Sequence, residues 1–176
     1  MNRTRLSALA ALLCAAGLAH ADLKIGVIAS STGVTAVVGM PQKNTVALLP
    51  AEIGGQKVEY IVLDDASDPT NAVTNVKKLL TEHKVDALIG PTTTPAALAM
   101  LDFVAESKTP LVTTVGSSAL VQPMDEKKHW VFKTTQNDDL IAEAVIEHMK
   151  KSGVQTIGFI GFNDPYGENW FKVFSA

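Results

Sequence analysis

The densest chemistry in this chain lies in short hydroxyl side chains. Thr92-Thr93-Thr94 stands directly before Pro95, and proline is favoured in the first turn of a helix, so the threonines mark a helix N-terminus. Unpaired backbone N–H groups and the positive end of the helix dipole meet there, a setting that suits a carboxylate. Thr114, Ser117 and Ser118 supply hydroxyls in the next loop. A single threonine-rich cap is an ordinary cap. Two neighbouring loops that both carry short hydroxyls, where long charged side chains would be easier to solvate, point to a bound small molecule.

Catalytic readings of the same chain are weaker. Asp64-Asp65 closes an apolar run and has two readings, a metal or phosphoacceptor pair or a brace for a strand-to-helix turn whose Asp68 caps the next helix; the brace is favoured. His83, His129 and His148 show no ligand spacing such as H-x-x-x-H, so no metal is expected. Gly116-Ser117-Ser118 lacks the G-x-S-x-G pattern of a hydrolase elbow. With no G-x-G-x-x-G or P-loop either, no enzyme activity and no cofactor are expected.

The elements that would position these groups alternate between two periods. Leu23–Ala29 (LKIGVIA) is a short β-branched apolar run ending in Ser30-Ser31-Thr32-Gly33, which predicts a buried strand entering a loop. Gly39-Met40-Pro41 is expected to open a short helix that Pro50 closes. Strands follow at Lys57–Leu63, Val85–Ile89, Leu111–Thr114, Trp130–Thr134 and Thr156–Gly161. Between them, Asp68-Pro69 starts a helix with Val73, Val76, Leu79 and Leu80 in one stripe, and Pro95 starts another with Leu98, Leu101, Val104 and Ala105. Asn137 is placed to cap a third, carrying Ile141, Val145, Ile146 and Met149, which Gly153 ends; a last helix begins near Gly167. Strand–helix alternation predicts βαβ units, hence an α/β fold with a doubly wound parallel sheet. Such sheets bind ligands at the carboxyl ends of their strands. Those ends lead into Ser30–Gly33, Asp64–Asp68, Gly90–Thr94, Val115–Pro123 and Phe162–Tyr166.

Composition narrows the setting. Of 176 residues, 47% are apolar and 19% charged, too apolar for a disordered tail. Met1–Ala21 reads as a secretory signal: Arg3 and Arg5, an apolar run over Leu6–Ala19, then Ala19-His20-Ala21 as a cleavage site. The run is about fourteen residues, short of the roughly twenty that cross a bilayer, so a released, exported chain is expected. Leu13 before Cys14 argues against lipidation, and Cys14 is the sole cysteine, so the mature chain can form no disulfide. The net charge of −3 becomes more negative once the two leader arginines are removed, which speaks against a nucleic-acid partner.

Taken in order, LKIGVIASSTG, VLDDASDPTNAV, ALIGPTTTPAALA, PLVTTVGSSAL, FKTTQND and FNDPYGENW resemble the substrate-binding proteins of branched-chain amino acid ABC transporters, the leucine-binding group of type I periplasmic binding proteins. The resemblance covers the whole chain after the leader. It implies two α/β lobes that close on a ligand about a hinge, with residues 22–134 forming an incomplete lobe one and residues 135–176 the start of lobe two. It implies that Thr94, with Thr93 beside it, holds a ligand carboxylate, that the Val115 carbonyl and Ser117 hydroxyl hold an ammonium, and that Tyr166 covers the ligand from lobe two. The expected ligand is a branched-chain amino acid or a related small carboxylate, delivered to a membrane permease; a sensory receptor domain of the same fold and a binder of aromatic carboxylates are the alternatives.

The chain also departs from that family. Leucine binders usually carry a disulfide between the turn after the second strand and the third-strand loop, where this chain has Ser67 and Thr93. An aromatic often found in the first loop corresponds to Val38, and Lys43–Ile53 stands where a longer helix and loop are usual. The lobe-two acid that completes the ammonium site would lie beyond Ala176. A chain of this length is expected to be an N-terminal fragment of the two-lobe protein, with exposed apolar surface.

Overall fold

The computed structural model describes residues 22–175, so the leader expected over Met1–Ala21 lies outside the described residues. Six strands form one sheet: β1 Leu23–Ala29, β2 Glu52–Ile53, β3 Gln56–Asp64, β4 Ala87–Ile89, β5 Leu111–Thr113 and β6 Val131–Lys133, in the order β2-β3-β1-β4-β5-β6. The five longer strands run parallel and β2 joins the edge antiparallel. β1 and β3 are in register over seven residues, from Leu23 opposite Val58 to Ala29 opposite Asp64, so the loops leaving them start side by side. Between β1 and β4 the order reverses: the chain leaves β1 towards one edge and builds outward from β4 towards the other. A crevice opens at such a switch point, and it falls between the loops after Ala29 and Ile89.

Helices α1 Ala36–Val46, α2 Pro69–Lys78, α3 Thr94–Ser107, α4 Asp138–Lys151 and α5 Pro165–Ser175 accompany the sheet, with a π-helical turn over Leu79–His83 after α2 and 3-10 turns at Ser118–Leu120 and Lys128–Trp130. The main core lies on one sheet face, where Ile28, Leu88, Leu111 and Val131 meet Ala72, Val76 and Leu79 around α2 and Ala96, Met100 and Val104 of α3. Of the expected stripes, Val76, Leu79, Leu101 and Val104 are buried while Val73, Leu80, Leu98 and Ala105 are half-buried, the deepest face having turned towards Ala72, Ala96, Ala97 and Met100; each buried side chain leaves water at roughly 25 cal/mol per Å². Right-handed crossovers put α1 on the opposite face.

Several expectations are corrected. The helix expected to open at Gly39-Met40-Pro41 begins three residues earlier and contains Pro41, and it ends at Val46, before Pro50. One turn past its start, Pro41 lacks a hydrogen bond that the helix tolerates because much of α1 is exposed. β3 extends to Gln56 because Gly54-Gly55, both with positive φ, makes the tight turn to β2; this two-glycine hairpin signal was readable in the sequence. The stripe of α4 is half-buried at best, and Ile141 is exposed. Asn137 occupies the N-cap position of α4 but makes no side-chain cap, because its Oδ1 accepts from Lys133 Nζ at 2.6 Å. Thr156–Gly161, expected as a strand, has no ladder, and Ile160 is 100% exposed. A strand needs a neighbour to pair its backbone, and no described strand lies beside this run.

Candidate functional site

The loops after β1, β3, β4 and β5 are joined by side-chain hydrogen bonds at the carboxyl edge of the sheet. Asp65, wholly buried, accepts from Ser30 Oγ at 2.6 Å and from the Ser67 amide at 3.0 Å through Oδ1. Asp64 accepts from the Thr32 hydroxyl at 2.6 Å and from the Thr32 and Ala66 amides. Burial opposes its ionised form, but these bonds outweigh it and hold its carboxyl below the ordinary value. The two aspartates thus brace a turn in which Ala66 and Ser67 both take positive φ. Ser67 Oγ donates to the Thr32 carbonyl at 3.0 Å.

The threonine triplet divides its labour. Thr92 Oγ1 accepts from the Ser30 amide at 2.9 Å and donates to Gln42 Oε1 at 2.7 Å. Thr93 is the N-cap of α3 and accepts from the Ala96 amide at 3.4 Å. Thr94, the first residue of α3, is 2% exposed, and its hydroxyl has no hydrogen-bond partner among the described residues. A buried unpaired hydroxyl is unfavourable, and here it sits at the positive end of a 14-residue helix. Thr93 and Thr94 are thus together.

Val115 and Ser117 lie in the next loop, both buried. The Val115 carbonyl accepts from the Thr135 hydroxyl at 3.0 Å, and Ser117 Oγ accepts from the Ala119 amide at 3.4 Å as the cap of a 3-10 turn at Ser118–Leu120. The carbonyl of the intervening Gly116 accepts from Lys133 Nζ. Asp138 presses so closely on Gly116 that a side chain at 116 would overlap its Oδ1, while its Oδ2 accepts from Asn169 Nδ2 at 2.8 Å. Burial pushes the Asp138 carboxyl above its ordinary value, against the nearby Lys133 charge and the Asn169 bond. Burial likewise pushes the Lys133 ammonium down, with Asp138 and Asp139 opposing. Tyr166 stands apart from this network. Its ring packs with Phe162 and Trp170, at centroid distances of 6.3 and 6.4 Å, and no hydrogen bond ties it to Thr94, Val115 or Ser117.

Sequence reasoning missed Gln42, Lys133, Thr135 and Asp138. They are polar residues on helices or strand ends whose types carry no motif, and their partners lie far along the chain: 72 positions separate Gln42 from Thr114. Among the described residues, no group of three or more His, Cys, Asp or Glu side chains is placed to hold a metal ion. No described helix is long and apolar enough to cross a membrane.

Residues 22–175 match the family model described as "Periplasmic binding protein". The chain belongs to the periplasmic binding protein family. The Leu/Ile/Val-binding protein BraC3 of Rhizobium johnstonii is 28% identical over 99% of this chain, which spans 48% of that relative's length. Among solved structures, an extracellular ligand-binding receptor from Rhodopseudomonas palustris HaA2 is 51% identical with a TM-score of 0.86, over 89% of this chain and 43% of the receptor. A solute-binding protein of an ABC transporter from Rhodopseudomonas palustris BisB5, solved with 3,4-dihydroxybenzoic acid, shares the fold at 23% identity and a TM-score of 0.79, over 88% of this chain and 43% of that one. This periplasmic binding protein thus carries the α/β architecture of the type I group over less than half the length of those solved relatives.

Proposed function

We propose that this chain captures a small organic carboxylate in the periplasm, as part of the solute-binding component of an ABC importer, and is not an enzyme. The secretory-signal pattern read over Met1–Ala21 supports the compartment. The observation that carries the ligand class is Thr94: a buried hydroxyl without a partner, at the N-terminus of α3. A carboxylate there would accept from the Thr94 hydroxyl at the positive end of α3, giving a charge-assisted hydrogen bond in place of an orphaned group; Pro95 has no N–H, and the Ala96 and Ala97 amides already donate to Thr93. Thr93 keeps the helix capped beside it.

In this reading residues 22–134 form most of lobe one, ending just after β6, and the chain crosses into lobe two at Thr135-Gln136-Asn137. The Val115 carbonyl, with a second lone pair free, and Ser117 face the ammonium of an amino-acid ligand, and Tyr166 closes over it when lobe two moves. A branched-chain amino acid fits the name of the Rhizobium relative. An aromatic acid is the second reading, and Val38 supports it: where leucine binders often have an aromatic, this chain has a small side chain, exposed on α1. Titration calorimetry of the protein against leucine, isoleucine, valine, benzoate and 4-hydroxybenzoate tests the proposal. Saturable binding of at least one of them is expected, and none at all would sink the ligand class.

A further inference from the structure

Gly39 of α1 packs so tightly on the loop after β1 that a Cβ there would overlap the Ser30 carbonyl oxygen. Three residues on, and therefore on the same helix face, Gln42 extends its carboxamide between two loops. Ser30 N–H donates to Thr92 Oγ1 at 2.9 Å, and the Thr92 hydroxyl donates to Gln42 Oε1 at 2.7 Å. Gln42 Nε2 donates to Thr114 Oγ1 at 3.1 Å, and the Thr114 hydroxyl donates to the Pro91 carbonyl at 3.1 Å. Each hydroxyl has a single hydrogen, and both are committed. A side chain spanning this gap must therefore accept at the Thr92 end and donate at the Thr114 end, which a carboxamide does and a carboxylate or thioether does not.

We propose that Gln42 is a positioning residue for ligand capture: its carboxamide sets the spacing between the N-terminus of α3 and the loop after β5, and so fixes where Thr94 stands relative to Val115 and Ser117. The proposal rests on the function proposed above. With Thr92 held in the bridge and Thr93 used as the cap of α3, Thr94 is the hydroxyl of the threonine triplet left free for a ligand. The bridge acts without touching the ligand, so its loss misplaces two half-sites together.

The test is a double-mutant cycle read by calorimetry with the tightest binder among leucine, isoleucine, valine, benzoate and 4-hydroxybenzoate. Gln42→Met, which keeps side-chain length and helix preference, and Thr114→Val are each expected to weaken binding about tenfold, the scale of one lost hydrogen bond. The double variant is expected to lose no more than either single one, because both break the same bridge. Gln42→Glu, which offers an acceptor where Thr114 needs a donor, should weaken binding at least as much as Gln42→Met. Unchanged affinity in Gln42→Met, or fully additive losses, would overturn the proposal. Amide hydrogen exchange at Ser30 in the unliganded protein keeps the two readings separable. If the parent binds none of the five compounds, the proposed function fails on that result, while the bridge still predicts faster Ser30 exchange in Gln42→Met and is refuted by unchanged protection.

Discussion

At the level of single residues, the site is defined by which polar atoms are already satisfied. Thr92 and Thr93 are consumed by the fold, one in the Gln42 bridge and one as a cap, whereas Thr94 is buried and unpaired. Thr94→Ala is expected to weaken carboxylate binding by about 1.5 to 3 kcal/mol, the range for a hydrogen bond to a charged group, with unchanged affinity by calorimetry removing this assignment. Asp138 supports a different prediction. Burial raises its carboxyl above the ordinary 3.8, so between that value and the raised one the folded state binds more protons than the unfolded state. Stability must then fall as pH rises through that window. Urea unfolding should find Asp138→Asn equal to the parent below the window and more stable at neutral pH; the same difference at both pH values would contradict the burial argument.

At the level of elements, the sequence was most legible where a segment buries against partners inside the chain. β1, α2 and α3 follow from short apolar runs, the Asp68-Pro69 and Thr94-Pro95 starts, and apolar spacing of which Val76, Leu79, Leu101 and Val104 are buried. α1 carries no strong stripe, since Val37, Val38 and Met40 are exposed, so Gly39 and Pro41 stand out in its sequence as boundaries although the helix runs through both. Thr156–Gly161 has the apolar residues of a strand, yet composition reports that a segment can pair and not whether a pairing edge is there. The threonine cluster was visible in the sequence, whereas the Gln42 bridge depends on side-chain reach between distant positions. Burial separates the two kinds of segment in a measurable way. Leu88→Ala, in the central core, is expected to cost about 2 to 5 kcal/mol in denaturant unfolding, and Ile160→Ser, fully exposed, within about 0.5 kcal/mol. A large cost at Ile160 would mean that the run is paired after all.

On the scale of the whole molecule, a periplasmic binding protein has been built outward from one crevice. The strand order reverses between β1 and β4, and the loops flanking that reversal carry Ser30 and Thr92, joined by a hydrogen bond, beside the unpaired Thr94. Phe159, Ile160, Phe162 and Phe171 leave apolar surface exposed around α5, as expected for a chain spanning 48% of its Rhizobium relative. The central claim is that this edge of the sheet holds a small carboxylate on Thr94. Titration calorimetry of parent and Thr94→Ala protein with leucine and 4-hydroxybenzoate tests it most directly: saturable binding of at least one compound, weakened in the variant, is the predicted result, and binding of equal strength in both proteins, or in neither, would contradict it.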